Sequence, residues 1–332
     1  MTPGSVNSSK TRIYTDAPVA VSMGENGLVH LATPCNVLLN RAATFLETPS
    51  PGVSTVLSVR WALNGQRLFE SGCRRFAVDD SSYRIFNFGS EFRSSINSPT
   101  PVDCYTVCFQ PESAASALAS ITVSDHALLD DPSKAASACN LLLFTEKTNS
   151  HDALVTPVLH SLVYNRDLPG ATHGWFEEQF QQLLLALMRT EAQIPDEVNR
   201  IAAARPATRE ELFRRVHSAR DFMEAGLFRR LSISEIACES AFSPFHFLRI
   251  FKQYFGETPH QYLTRRRIEA AIVMLQNSQV PICEICASLG FESPGSFSWL
   301  FRRHVGISPE KYRAARQYHR AWPAREPVAR AS

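Results

Sequence analysis

The 332-residue chain has no apolar run approaching the about 18–20 residues a helix needs to cross a bilayer, so no membrane span is expected. Met1 to Lys10 lacks an apolar signal segment, which makes a cytoplasmic protein the expectation. Histidine is absent from Leu57 to Phe109, and His30, His126 and His151 stand isolated in sequence. A catalytic metal centre needs a close His-x-His pair, a carboxylate and a further His converging on one ion, and that pattern is not there. No nucleophile elbow or phosphate-binding glycine loop stands out. The expectation is no enzyme, no cofactor and no metal.

Eight cysteines at 35, 73, 104, 108, 139, 238, 283 and 286 form no disulfide framework and read as small buried residues of a reducing compartment. Cys283-x-x-Cys286 has the spacing of half a zinc site or of a redox pair. No second ligand pair matches it, and core filling is the expected role.

Charge is unevenly spread. Residues 205–332 carry 20 Lys+Arg against 12 Asp+Glu, a net +8, while residues 1–204 carry 14 against 20, a net −6; together they make the chain's +2. A basic segment suits a polyanion, because cations laid along phosphates release condensed counterions.

The acidic half reads first as β. Val56 to Trp61, Tyr83 to Phe86 and Val102 to Phe109 are short and rich in β-branched or aromatic residues, with turn signals at Asn64-Gly65, Asp79-Asp80, Phe88-Gly89 and Ser98-Pro99. A sandwich or small barrel is expected. Phe176, Phe180, Leu183, Leu184 and Leu187 then form one helical stripe, opposite Glu177, Glu178, Gln181 and Gln182. That helix, over 175–188, could pair two copies of the chain or pack onto its own barrel. A further helix from about Arg209 to Ala225, with Leu212, Val216, Ala219 and Met223 on one face, would open the basic domain.

Near the C-terminus a block of sequence occurs twice. Ser243-Pro244-x-x-Phe247-x-x-x-Phe251-x-x-x-x-Gly256-x-x-Pro259-x-x-Tyr262 returns as Ser293-Pro294-x-x-Phe297-x-x-x-Phe301-x-x-x-x-Gly306-x-x-Pro309-x-x-Tyr312. In each copy a serine can cap free N–H groups, proline follows at the first helical position, and glycine can end the helix in the left-handed region. Shorter amphipathic segments precede each copy, the first opening with a Ser232-x-x-Glu235 capping box. The turns between are Ser240-Ala241-Phe242 and Leu289-Gly290-Phe291. Short helix, tight turn and longer helix describe a helix-turn-helix, whose second member enters the DNA major groove. Glu235, Ile236 and Phe242 recur 49 residues later and everything from Ser243 recurs 50 later, so one residue is inserted at the second turn.

Leu289-Gly290-Phe291-Glu292-Ser293-x-x-x-Phe297-x-x-x-Phe301-Arg302-Arg303-x-x-Gly306-Ile307-Ser308-Pro309-x-x-Tyr312-Arg313 resembles the signature of AraC/XylS-type transcription regulators. Leu231 to Tyr262 and the helix Gln261 to Gln276, with its Arg265-Arg266-Arg267-Ile268-Glu269-Ala270 run, resemble the rest of that domain. The resemblance implies an α+β protein. Residues 1–168 would be a cupin-like β-barrel sensor, 169–205 a helical linker and possible dimerisation element, 206–318 an all-α double helix-turn-helix DNA-binding domain, and 319–332 a tail. Phe76 to Tyr83, followed by Ser98 to Pro101, is similar to such sensor domains. Double-stranded DNA, RNA polymerase, a small-molecule effector and a second copy of the chain are the partners implied, with association to the nucleoid. Activation is the expected mode; a repressor, a ligand-independent regulator and a cupin-type enzyme fused to a DNA-binding domain are the alternatives.

With Phe247, Ile250 and Phe251 turned inward, the first recognition helix leaves Phe245, His246, Leu248, Arg249 and Lys252 for the groove or its walls. The resemblance puts Phe245, Leu248 and Arg249 at base-facing positions. Arg249 could grip a guanine bidentately, Phe245 and Leu248 could meet a thymine methyl, and Lys252 a phosphate. With Phe297, Leu300 and Phe301 inward, the second helix leaves Pro294, Gly295, Ser296, Ser298 and Trp299, flanked by Arg302 and Arg303. Gly295 has nothing to read with, and Trp299 could instead pack on the bridging helix. The second unit is expected chiefly to hold the DNA backbone.

Overall fold

A computed structural model describes residues 11–15, 21–23, 29–31, 36–48, 52–54, 56–110, 143–203 and 205–321. The readings for Met1 to Lys10, Cys35, His126, Cys139, the side chain of His30 and residues 322–332 fall outside what is described. The chain divides into two compact units, Met1–Asp221 and Phe222–Ser332.

The first unit is built on an antiparallel sheet of nine strands: β1 Thr11–Thr15, β4 Val37–Glu47, β5 Gly52–Val53, β6 Leu57–Leu63, β7 Arg67–Ser71, β8 Arg74–Val78, β9 Ser82–Phe86, β10 Glu91–Phe109 and β11 Thr148–Ser150. Its main path runs β1-β4-β10-β6-β9-β11, and β2 Val21–Met23 pairs with β3 Val29–Leu31 as a separate ribbon. Alternation of side chains gives the sheet two apolar faces. Val59, Trp61, Tyr83, Tyr105 and Val107 point to one; Ala62, Phe86, Val102 and Cys104 point to the other, where they meet Phe69, Phe76, Phe92 and Ile96.

Helices α1 Thr156–Tyr164 and α2 His173–Glu191 cover the first face. The stripe Phe176, Phe180, Leu183, Leu184 and Leu187 is at most 4% exposed within this core, so of the two readings of that helix, packing onto its own sheet is the one realised. Trp61 and Tyr105, stacked at 5.1 Å, leave a large aromatic surface that needs such a cover. Glu177, Glu178, Gln181 and Gln182 remain outward.

Ser98-Pro99, expected as a turn, lies inside the 19-residue strand β10, whose register against β4 shifts between Asn97 and Val102. Proline has no N–H to donate, and an irregularity in the ladder is where a strand tolerates it. After the short helix α3 Ile194–Asn199 comes α4 Pro206–Ala225. The sequence suggested that this helix opens the basic domain, yet its residues to Asp221 group with the β unit. Asp221 there forms a buried ion pair with Arg84 of β9 at 2.6 Å, and Arg220 donates to the Thr148 carbonyl.

The second unit repeats one plan. Short α5 Ile233–Glu239 precedes α6 Pro244–Phe255; short α8 Ile282–Ser288 precedes α9 Pro294–Val305; α7 Pro259–Asn277 lies between and α10 Pro309–Ala321 follows. Ser243 caps α6 by accepting from the His246 N–H, and Ser293 caps α9 by accepting from the Ser296 N–H. Gly256 at φ 77° and Gly306 at φ 91° end the two helices in the left-handed region. Each copy buries the same aromatic ladder: Phe247–Phe251–Tyr262 with ring separations of 5.4 and 5.6 Å, and Phe297–Phe301–Tyr312 with 5.8 and 5.7 Å.

One local expectation changes. Ser232 accepts from the Glu235 N–H, but the Glu235 carboxylate pairs with Arg229 at 2.6 Å instead of reaching back, so only half of that capping box forms. The complete box is Thr258 with Gln261, at the start of α7.

Candidate nucleic-acid interface

The geometry of each helix-turn-helix is set at its turn. Ala241 and Gly290 sit at φ 58° and 68°, and the following Phe242 and Phe291 N–H groups reach back to the Ala237 and Cys286 carbonyls at 2.8 and 3.2 Å. The residue inserted in the second copy is Glu292, between the turn phenylalanine and the capping serine.

Arg267 of α7 ties the two copies together. Its guanidinium donates to the carbonyls of Leu227 at 3.1 Å and Arg229 at 2.6 Å, ahead of the first unit, and to that of Gly290 at 3.4 Å, in the turn of the second. Arg266 is buried against Glu224 at 2.7 Å, with the Tyr262 hydroxyl donating to the same carboxylate at 2.5 Å. Arg265 pairs with Glu257 and Glu269. In the sequence these three arginines entered the basic total and the family resemblance, with no partner assigned to any of them. All three guanidiniums are engaged by groups of the protein itself, Arg265 at the surface and Arg266 buried, so the cations free for phosphate are fewer than the net charge suggests.

The face opposite the aromatic ladders carries the residues singled out above. On α6, Phe245 is 85% exposed and Leu248 38%, with Arg249 and Lys252 also exposed. Arg249 and Lys252 form no ion pair among the described residues. His246 departs from the pattern: it is half-buried, edge-on to Phe242 at 5.3 Å, and belongs partly to the turn. On α9, Gly295, Ser296, Arg302 and Arg303 are exposed and Ser298 is half-buried. The Ser296 hydroxyl donates to the Ser293 carbonyl at 2.9 Å, a local tie that competes with any base contact. Trp299 is 60% exposed, with the Arg303 guanidinium 5.3 Å above its ring, so it does not pack on the bridging helix. Leu300, expected inward, is half-buried at the margin of the core.

Cys286 is buried in the core of the second copy, its thiol pKa raised by burial, while Cys283 is exposed. Core filling therefore describes Cys286 alone; Cys73 and Cys238 are likewise exposed, where no packing role holds them. His151 is not isolated in space, since His160 lies 6.0 Å away ring to ring. Among the described residues no group of three His, Cys, Asp or Glu is placed to hold a metal ion, and no helix is long and apolar enough to cross a membrane.

Two capped recognition helices, fixed by one bridging helix, define a double helix-turn-helix unit of the DNA-binding class. A family model described as a helix-turn-helix domain matches residues 236–315. The transcriptional activator AarP of Providencia stuartii is 35% identical over 92 residues, 28% of this chain and 68% of AarP. LumQ of Photobacterium leiognathi is 34% identical over 92 residues, 28% of this chain and 37% of LumQ, so the likeness spans about a third of that relative. A solved AraC-type regulator from Chromobacterium violaceum is 32% identical, covering 36% of this chain and all of the other, with a TM-score of 0.30. The chain belongs to the AraC/XylS family of transcription regulators.

Proposed function

We propose that the whole chain is a sequence-specific transcription regulator, most simply an activator, in which residues 1–168 form a cupin-like sensor of a small-molecule effector and residues 206–318 bind operator DNA. The observation that carries the reading is the exposed, unpaired cationic edge of both recognition helices: Arg249 and Lys252 on one, Arg302 and Arg303 on the other. The first helix reads bases, with Arg249 on guanine and Phe245 and Leu248 on thymine methyls; the second grips the backbone through Arg302 and Arg303. RNA polymerase would be the partner of an activator bound beside a promoter, and the cytoplasm its compartment. No catalytic step is assigned to the β unit. Because the apolar stripe of α2 is consumed in its own core, a dimer through 175–188 would have to use the polar face of Glu177, Glu178, Gln181 and Gln182.

The test is retardation of promoter DNA by the purified chain across a salt series. Affinity should fall steeply and linearly on a log–log plot, as expected when several phosphates are contacted together. A folded protein showing no salt-sensitive retardation would overturn the assignment.

A further inference from the structure

The inner face of the β sheet, the one not covered by α1 and α2, holds more positive charge than its surroundings balance. Arg60 of β6 stands directly opposite Arg84 of β9 and Thr106 of β10 in the ladder. Like charges opposite each other on one face repel. Arg84 is compensated: it pairs with Asp221, donates to the Thr148 hydroxyl at 3.1 Å and lies 3.6 Å over the Phe76 ring. Arg60 has no such carboxylate. Its guanidinium lies between the Phe86 and Phe92 rings, 5.0 and 4.4 Å from their centres, and it makes no hydrogen bond or ion pair among the described residues.

Arg67 of β7 lies against the same aromatic cluster, 4.9 Å over Phe69; it donates to the Ser94 hydroxyl at 2.9 Å and also faces the Cys104 sulfur. The Nε atoms of Arg60 and Arg67 are both sealed from solvent and lack an acceptor. The nearby groups that could carry negative charge are the thiols of Cys104 and Cys108, and burial raises both of their pKa values, so they stay neutral. A ring beneath a guanidinium offsets only part of the cost of sealing the charge, and it leaves the in-plane N–H groups unused. Burial pushes the Arg60 pKa down to about 9, which expresses the same missing counter-charge. Residue by residue, both arginines remain half-buried, so the site is reachable from outside.

We propose that Arg60 and Arg67 together bind an oxyanion, a carboxylate or phosphate group, on the inner face of the β unit. A planar fork of N–H donors held flat on phenylalanine rings offers its edge to such a group, and the aromatic cluster Phe69, Phe86 and Phe92 provides an apolar floor beside it. This names the chemistry of the effector and rests on the sensor reading for its regulatory consequence only.

The experiment is thermal unfolding of the full chain in sodium acetate, inorganic phosphate or sodium chloride at equal ionic strength. Acetate or phosphate should raise the midpoint over chloride, by about 5 °C at a hundredfold excess over Kd. Response to acetate alone assigns a carboxylate and response to phosphate alone a phosphate. Arg60→Met and, independently, Arg67→Gln should abolish the rise. In chloride Arg60→Met should melt no lower than the parent, because it removes an uncompensated charge. Equal responses in parent and variants, no advantage over chloride, or a sharply lower melting point of Arg60→Met in chloride would each overturn the proposal. DNA retardation with and without the stabilising anion separates the two readings: binding that leaves DNA affinity unchanged refutes the sensor role and leaves the site standing.

Discussion

Ala241 and Gly290 occupy the same left-handed position in the turns of the two helix-turn-helix units, at φ 58° and 68°. An L side chain costs about 1–2 kcal/mol in that region, so Ala241 carries a strain that Gly290 does not. Ala241→Gly should therefore stabilise the C-terminal unit, Phe222–Ser332, by up to about 1 kcal/mol. Gly290→Ala should do the reverse, and by more, since a Cβ there would meet Arg267 Nη2 at 3.0 Å and the Arg229 carbonyl carbon and oxygen at 3.2 Å. Denaturant unfolding of both variants checks the signs; equal effects at the two turns would contradict the geometry.

Arg267 touches both copies, through three backbone carbonyls and through its guanidinium 5.9 Å over the Phe291 ring. Arg267→Ala should weaken binding to an operator spanning two major grooves by about tenfold or more while leaving helix content unchanged, because the copies lose their fixed spacing. Retardation on full and half operators is the measurement. A variant that loses the same factor on both would point to a simple loss of charge.

Arg249 and Arg302 should give different signatures. Arg249→Ala is expected to cost about 1–3 kcal/mol and to relax preference at one base pair; Arg302→Ala should weaken all sequences alike and lower the salt slope by about 1. Selection from randomised sites distinguishes them. If Arg302→Ala changed the preferred sequence and Arg249→Ala did not, the orientation of the two units would be reversed.

Acid should weaken the β unit through its histidines. His217 is buried, and its pKa is held well below the usual value by burial first and then by Arg220, Lys147 and Arg84; His151 is lowered by burial and by His160. A base with a depressed folded pKa contributes stability that is complete above about 6.5. That stability is lost as pH falls toward the folded pKa, at up to about 1.4 kcal/mol per pH unit for each group. Melting curves between pH 7.5 and 5 should show this slope, and His217→Gln should reduce it. A slope unchanged in the variant would remove His217 as the cause.

The double helix-turn-helix was legible in the chain because each of its landmarks is local. Serine before proline, phenylalanines four apart and glycine at the helix end act within a few residues, and their repetition made each reading check the other. The aromatic inner face and the exposed outer face of each recognition helix followed from the 3.6-residue period. What the period could not decide was the partner of each side chain. The Arg265-Arg266-Arg267 run looks alike in sequence, yet one arginine is exposed enough to pair at the surface, one is buried on Glu224, and one clamps three carbonyls. The stripe of α2 could have met a second chain or its own sheet, and only the unfilled surface over Trp61 and Tyr105 settled that. The charge imbalance at Arg60 and Arg67 was equally invisible, since a strand's alternation tells which face a residue takes but not whether a carboxylate from another element arrives opposite it. Asp221, 137 residues along the chain, arrives for Arg84 and not for Arg60. Local chemistry thus fixed the elements and the DNA-binding face, and long-range packing decided which charges and apolar faces were left unmatched.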